Sequence, residues 1–299
     1  LFVRHLNFDQ REGLWRDIKK FGHMIWSFEA AAKFERMVRE FKPEVIHIHN
    51  IYHHISHSIL RVAKKYGVPV VMTAHDYHLV NPNYVLYDHG AICERQGLAA
   101  IFHRCVKNSF SASAADVIEH AVHRWMGVYK RNVAKYLTPT NFVKEKLVEY
   151  GVDGKKIEVV LLPVVAPTPP NLPSGRGGKI VSPPFGGGVR GGLLFYGQAS
   201  DAELAALYQN AALLVQPSLE EGFSLSPLEA LSFGCPAAVS DIPVHREIYG
   251  EAVRYFNPLL PDSIAEVLKK TLENPTRAPL PREYSWLNSA KETRALYEG

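Results

Sequence analysis

The chain has 299 residues, 46% of them hydrophobic, and carries 34 basic against 30 acidic residues for a formal net charge of +4. That is enough chain for two domains of ordinary size, and so mild a basic excess argues against a nucleic-acid partner. Its three cysteines, Cys93, Cys105 and Cys235, are too sparse and irregular for a disulfide scaffold and suit a reducing cytosol, and no apolar run approaches the roughly 20 residues that span a bilayer.

Residues 13–41 read as helix, with Leu14, Ile18, Phe21 and Ile25 recurring at spacings of three and four. A strand is expected at 45–49, a helix at 56–66 and a strand at 69–73, an alternation that forms a βαβ unit and implies a parallel sheet. A helix-rich insertion runs from about 116 to 131. A strand near 136–138 and a helix at 141–150, stopped by Gly151, follow. Residues 163–192 then hold seven prolines and eight glycines and keep no helix or strand period, the composition of a linker. Beyond them the pattern gives a strand at 193–197, a capping box at Ser200-Asp-Ala-Glu203 opening a helix to residue 210, strands at 212–216, 237–240 and 252–256, a helix at 226–233, an amphipathic helix at 262–273 and a last helix at 284–297.

The stretch Glu221-Gly-Phe-Ser-Leu-Ser-Pro-Leu-Glu229 joins the strand at 212–216 to the helix at 226–233. Ser226 suits the N-cap, Pro227 the first helical position and Glu229 the third. Glu221 therefore sits on a loop beyond a strand's C-terminal end and Glu229 in the first turn of the next helix, the crevice where open α/β sheets bind ligands. The free N–H groups of a helix start favour an anion such as a diphosphate. Two structural readings stand beside this one: Ser226 and Glu229 also spell a capping box, and Glu221 alone is compatible with a solvated loop.

These nine residues resemble the Glu-x7-Glu signature of retaining glycosyltransferases of family 4. The resemblance continues through residues 234–243 and 251–258, and, toward the N-terminus, through 43–50, 67–76 and 137–146; it covers nearly all of the chain except 163–192. It implies an α/β, GT-B-like architecture of two Rossmann-like lobes with a cleft between them, the second incomplete. The lobes are placed at 1–165, with a helical insertion and facing the acceptor, and at 193–299, a partial nucleotide-sugar domain, joined by a linker or junction at 166–192. The implied activity is transfer of a sugar from a nucleotide-diphosphate sugar to a glycan or lipid-linked acceptor with retention of configuration, in surface-polysaccharide synthesis, with no cofactor, metal or nucleic acid. The implied place is the cytoplasm, extending to the inner face of the membrane.

The resemblance also assigns roles. Glu221 approaches the donor sugar, Glu229 binds the ribose hydroxyls, and Gly222, Phe223, Ser224 and Leu225 line the donor. His75, after the strand at 69–73, lies near the donor sugar; as a plain sequence feature it equally caps or packs a strand end. The expected chemistry is front-face displacement, with the leaving phosphate helping to deprotonate the acceptor and preorganised electrostatics carrying the developing charge. The Gly-Arg…Lys-Gly stretch that holds the diphosphate in the family has no match here. Arg176, Lys179 and Arg190 lie in the anomalous junction and receive no such role. Against the family's pattern, several early strand–helix units of the second lobe and the first strand and helix of the first lobe are also expected to be missing, and Leu1 opens the chain without an initiator Met or a signal-peptide pattern. The expectation is a shortened transferase of weak or no activity. The alternatives are a degenerate fragment that binds a sugar nucleotide or a partner weakly, and a GT-B epimerase, whose further carboxylates cannot be placed.

Three other features carry weaker expectations. His47, His49, His53, His54 and His57 crowd eleven positions, yet no cysteine or carboxylate joins them locally to complete a metal site. Cys93-Glu-Arg-Gln96 and Asn81-Pro-Asn83 lack cysteines that many relatives carry there, so Cys93 and Cys105 are expected to be ordinary thiols. Trp15, Lys19, Lys20, Phe21, Met24, Ile25 and Trp26 suggest a face for peripheral membrane contact, but packing of this helix on its own domain is the favoured reading.

Overall fold

The computed structural model describes residues 14–88, 91–162, 199–276 and 283–298. Two parallel sheets organise it. The first contains β1 (Ile46–His49) and β2 (Val70–Thr73); a short antiparallel hairpin, β3 (Tyr87–Asp88) and β4 (Ala91–Ile92), stands apart from it; β5 (Lys135–Thr138) and β6 (Ile157–Val159) complete the order β1-β2-β5-β6. The second sheet runs β7 (Leu214–Gln216), β8 (Ala237–Ser240), β9 (Arg254–Phe256), and all pairings in both large sheets are parallel. Among the described residues the second sheet has three strands; the fourth expected strand, at 193–197, and the Pro/Gly-rich stretch at 163–192 lie outside the described residues.

The sequence explains the burial of each strand. Val-Val-Met-Thr in β2 and Ala-Ala-Val-Ser in β8 bury all four side chains, as strands covered on both faces must. In β1 the Ile-His-Ile-His alternation sends Ile46 and Ile48 into a core shared with Val70, Met72, Tyr136 and Ile157, and sets His47 and His49 on the opposite face. That second face is closed by the last helix, Trp286–Glu298. Leu296 packs on Val71, Leu137 and Val160, and the Tyr297 hydroxyl lies 2.6 Å from His47 Nδ1. The C-terminal helix thus crosses back to the first lobe.

Several element boundaries differ from the sequence pattern, each for a local reason. The helix expected over 13–41 is two helices, Leu14–Ile25 and Phe28–Phe41, because Ser27 adopts an extended conformation and its hydroxyl caps the second through Ala30 N–H at 3.1 Å. Of the residues suggested for contact with a membrane, Lys20 and Met24 are buried while Trp15 is 78% exposed. No helix among the described residues is long and apolar enough to cross one. The helix expected over 56–66 forms as Ser58–Lys65, preceded by a separate short helix, Tyr52–Ile55. The helices of the insertion begin earlier than expected, with Gly97–His103 and then Phe110–Met126, and the second breaks at Gly127, whose φ of +59° ends it before Val128–Asn132. The capping box at Ser200–Glu203 forms in both directions.

Ser27 also ties its helix to the next layer: its N–H donates to Ser56 Oγ at 2.9 Å and its carbonyl accepts from Ser58 Oγ at 2.8 Å. Ser27→Ala removes the cap at a fully buried position. The expected loss is about 1–2 kcal/mol of stability, read as a lower urea midpoint at unchanged slope; Ser27→Asn, which keeps a capping oxygen, is expected to recover part of it.

Candidate functional site

Beyond β7 the chain turns sharply before the helix Ser226–Ser232, and this turn carries the candidate residues. Glu221 is fixed at the C-terminal end of the strand, where its Oε1 accepts from Gln216 Nε2 at 3.1 Å and Ser218 Oγ at 2.7 Å. Gly222 meets the first lobe directly: a Cβ at this position would stand 3.1 Å from the carbonyl oxygen of His75. The Gly222 carbonyl accepts from Thr140 Oγ1 at 3.2 Å. Phe223 is buried in the second-lobe core against Tyr284, their ring centroids 5.9 Å apart. Ser224 holds a positive φ of +70°, rare for a residue with a side chain, and its carbonyl accepts from the Tyr249 hydroxyl. Its own hydroxyl is buried and has no partner among the described residues.

Leu225, not Ser226, precedes the helix, in the right-handed helical region and without a side-chain cap. The expected capping box at Ser226–Glu229 is therefore not formed. Instead the Tyr208 hydroxyl donates to Glu229 Oε2 at 3.1 Å. Burial, and then the Glu229 charge, push the Tyr208 phenol up to about 12, so it stays a donor at neutral pH. Glu221 and Glu229 are held by different elements and share no hydrogen-bond partner among the described residues.

His75 follows β2 and is brought to Gly222 through its backbone rather than its ring. Its Nε2 lies 2.8 Å from His49 Nδ1, the His49 ring leans on His47 at 4.3 Å, and His47 Nε2 reaches Thr73 Oγ1 at 2.7 Å. Burial holds the His47 imidazole down at about 4, helped by His49 and His75, and also lowers His49 and His75. These rings are neutral at pH 7, and the His49–His75 bond needs one N–H and one bare nitrogen.

Two further contacts close the seam. Tyr77 donates to Glu220 Oε1 at 3.0 Å. Glu247 accepts from Asn141 N at 2.7 Å, Asn141 Nδ2 at 2.9 Å and Phe142 N at 3.0 Å, placing an anion on the N-terminus of the helix Asn141–Glu149. Sequence reasoning passed over Tyr208, Gln216, Ser218, Tyr249 and Glu247, the residues that hold the candidates in place. It also passed over His245, fully buried at the start of the helix Pro243–Tyr249. His245 Nδ1 lies 2.8 Å from the Ser240 carbonyl, which only accepts, so Nδ1 carries the proton and the unpartnered Nε2 is a bare acceptor. The sequence signal for it was position alone, two residues after Pro243.

The family model described as Glycosyltransferase Family 4 matches residues 10–165, just over half of the chain, and the model described as Glycosyl transferases group 1 matches residues 188–289. The chain belongs to glycosyltransferase family 4. Over 66 residues it is 44% identical to the O-antigen chain mannosyltransferase RfbU of Salmonella typhimurium, a match covering 22% of this chain and 19% of that protein. Over 111 residues it is 35% identical to the MMP alpha-(1->4)-mannosyltransferase of Mycolicibacterium hassiacum, covering 33% of this chain and 27% of that protein. These matches thus span about a fifth to just over a quarter of the relatives' lengths. Among solved structures, the sucrose-phosphate synthase of Thermosynechococcus elongatus aligns with a TM-score of 0.57 at 16% identity, over 99% of this chain and 81% of that one. HepE of Anabaena in complex with UDP aligns with a TM-score of 0.52 at 12% identity, over 90% and 77%. The fold is GT-B, two Rossmann-like lobes built on parallel sheets.

The histidine run of this family 4 chain is not one cluster. His47 and His49 join His75 on the sheet face, while His57 turns into the insertion, its ring 3.9 Å from His123 and its Nδ1 3.9 Å from the buried carboxylate of Glu119. The side chains of His53 and His54 lie outside the described residues. Around Glu119 burial holds His78 and His120 down at about 4 and, with the Glu119 charge, lifts Asp116 to about 7.

Gly222→Ala sets a methyl against a backbone oxygen that cannot swing away, so the expected loss is about 1–3 kcal/mol, read by urea unfolding. Gly154→Ala meets only the Val148 side chain, at 3.2 Å, and is expected to be milder; equal midpoints for the two variants would refute the seam contact. The histidine chain makes a pH prediction. An unfolded histidine, near 6.5, takes its proton before folded His47 does at about 4. The stability that neutral His47 contributes is therefore lost as pH falls from about 6.5 to 4. His47→Gln should flatten the pH dependence of the urea midpoint in that window, and a titration of the His47 ring by NMR should show its midpoint near the lower limit.

Proposed function

We propose that the chain transfers a sugar from a nucleotide-diphosphate sugar to a glycan or lipid-linked acceptor with retention of configuration, in the synthesis of a surface polysaccharide. The observation that supports it most is the turn at Ser224. A buried hydroxyl without a partner, on a residue held at positive φ and followed by a right-handed helical residue, suits a waiting ligand. Such a change of hand lets successive backbone N–H groups converge on an anion. Polar atoms left unmatched inside a fold are costly unless something else satisfies them.

In this reading Gly222, Phe223, Ser224 and Leu225 form the wall against the donor, their N–H groups and the Ser224 hydroxyl turned to the diphosphate. Glu229, oriented by Tyr208, accepts from the ribose hydroxyls. Glu221, oriented by Gln216 and Ser218, faces the donor sugar and stabilises the positive charge that grows on its ring as the bond to phosphate breaks. The leaving phosphate takes the acceptor proton on the same face, which preserves the anomeric configuration without a protein nucleophile. His75 stands at the edge of the first lobe, its neutral ring able to hydrogen-bond a sugar hydroxyl once it parts from His49. The relatives named as mannosyltransferases make mannose the first sugar to test. The lobe limits at 1–165 and 193–299 are part of the same proposal.

The test is an assay of the full chain with UDP-, GDP- and ADP-linked mannose and other sugars, following release of nucleotide diphosphate. Glu221→Ala should mainly lower kcat, by about 10²-fold or more, as removal of one electrostatic stabiliser of the transition state does. Glu229→Ala should mainly raise the KM for donor, by roughly 10- to 100-fold for one charged hydrogen bond of about 1.5–3 kcal/mol. Product configuration by NMR checks retention. Donor binding without turnover under any condition would replace this reading with that of a non-catalytic sugar-nucleotide binder.

A further inference from the structure

The insertion after β2 gathers four metal-ligand side chains that are scattered in sequence. Cys93 Sγ and Cys105 Sγ lie 3.2 Å apart; His103 Nδ1 stands 3.4 Å from Cys105 Sγ and 3.9 Å from Cys93 Sγ; Asp88 Oδ2 lies 3.1 Å from His103 Nδ1. All four ligand atoms fall within 4.8 Å of one another. A tetrahedral ion with bonds of about 2.0–2.3 Å has ligand atoms roughly 3.3–3.8 Å apart along its edges, and the four distances bracket that range. We propose that Asp88, Cys93, His103 and Cys105 form a structural zinc site that clamps the hairpin β3–β4 to the helix Gly97–His103.

Geometry, charge and packing each support this. Two thiolates and a carboxylate bring three negative charges; a divalent ion leaves one, and the Arg95 guanidinium, 3.6 Å from Cys93 Sγ, offsets it. The backbone at Cys93 is held before any ion arrives. Its N–H donates to Leu86 O at 2.7 Å and its carbonyl accepts from the buried Asn83 Nδ2 at 3.2 Å; Asn81 Oδ1 accepts in turn from Asn83 N at 2.9 Å. Asn81 and Asn83 thus serve as scaffold beneath the first thiol. The cysteines are buried, Asp88 is 10% exposed at its side chain and His103 31%, so the site is closed apart from one rim, as structural rather than catalytic zinc requires.

The packing of this segment gives the ion a task. Its own core consists of Cys93, Ala100 and Cys105 with Val117 beside them, its strands have two residues each, and Ile92, Leu98 and Phe102 are 57%, 72% and 73% exposed. A segment with so little buried apolar surface needs a cross-link to hold one conformation, and metal binding supplies folding free energy where packing does not. The sequence reading took Cys93 and Cys105 as ordinary thiols because no second Cys-x-x-Cys member was present. His103 and Asp88 occupy the remaining two corners, and they come from a helix end and a hairpin that only the fold brings together.

The test uses the full chain, purified with a thiol reductant and without chelator. About one zinc per chain is expected by elemental analysis. Replacement by Co2+ should give the visible bands of a tetrahedral site together with a thiolate-to-cobalt charge-transfer band. Cys93→Ser and Cys105→Ser should each weaken zinc binding at least by the roughly 10- to 100-fold that loss of even an outer partner costs. Asp88→His, which keeps a ligand, should retain the metal, and Cys235→Ser, remote from the site, should leave it unchanged. Removing the metal should raise amide exchange over residues 86–105 while that of β8 stays the same. Should the serine variants fail to fold, the cobalt spectrum of the unsubstituted chain decides. A reduced chain that takes up no Co2+, a cobalt spectrum without the thiolate band, full zinc content in Cys93→Ser, or a Cys93–Cys105 disulfide that forms in reductant despite added zinc would each overturn the proposal.

Discussion

The two lobes meet because residue 222 has no side chain. The turn after β7 reaches the His75 carbonyl at the C-terminal end of β2 closely enough that a methyl would press on it at 3.1 Å. Around that approach the other seam contacts take their places. Thr140 reaches the Gly222 carbonyl, Tyr77 reaches Glu220, and Glu247 receives the N–H groups that begin the helix Asn141–Glu149. Each pairs a donor on the first lobe with an acceptor on the second. Together they replace water at polar groups that the seam would otherwise leave unmatched.

Parallel strands explain why these groups converge. In a parallel sheet all strands end on the same edge, and ligands collect beyond that edge. His75 lies beyond β2, Thr140 beyond β5 and Glu221 beyond β7. Facing these edges together brings residues more than a hundred positions apart, such as His75 and Gly222, close to one another. The neutral histidine chain, His47 to His49 to His75, anchors the first edge from below, and the last helix locks it through Tyr297.

The insertion follows a different physical logic. Beside the sheet it buries polar side chains rather than a second apolar core: Glu119 lies among His57, His78 and His123, with ring nitrogens 3.5–3.9 Å from its oxygens. Burial disfavours charge on the His78 and His120 rings and on nearby Asp116 alike. Beyond that cluster the hairpin and the short helix Gly97–His103 hold four metal-ligand groups and little apolar surface. Polar and ligand chemistry thus takes over the organising role that hydrophobic packing has elsewhere in the chain.

The sequence by itself indicated β1, β2, β5, β7, β8 and β9, their parallel topology and the Glu-x7-Glu turn, because these rest on local periodicity and on a contiguous motif; β6 and the hairpin β3–β4, two or three residues per strand, are too short to show a period and were not expected. β8 falls on the expected residues, and β2 and β7 differ from expectation only at their first residues. Helix ends were less legible: Ser27 and Gly127 break helices through caps and a left-handed backbone, which periodicity does not register. At Ser226 a good local signal lost to the fold, which gave Glu229 to Tyr208 instead of to a capping box. Only the tertiary structure decided which groups meet across distance: Gly222 with His75, Glu247 with Asn141, Tyr297 with His47, and Cys93 with Asp88 and His103. Those pairings depend on how two sheets and an insertion pack in space, and sequence separation carries no trace of it.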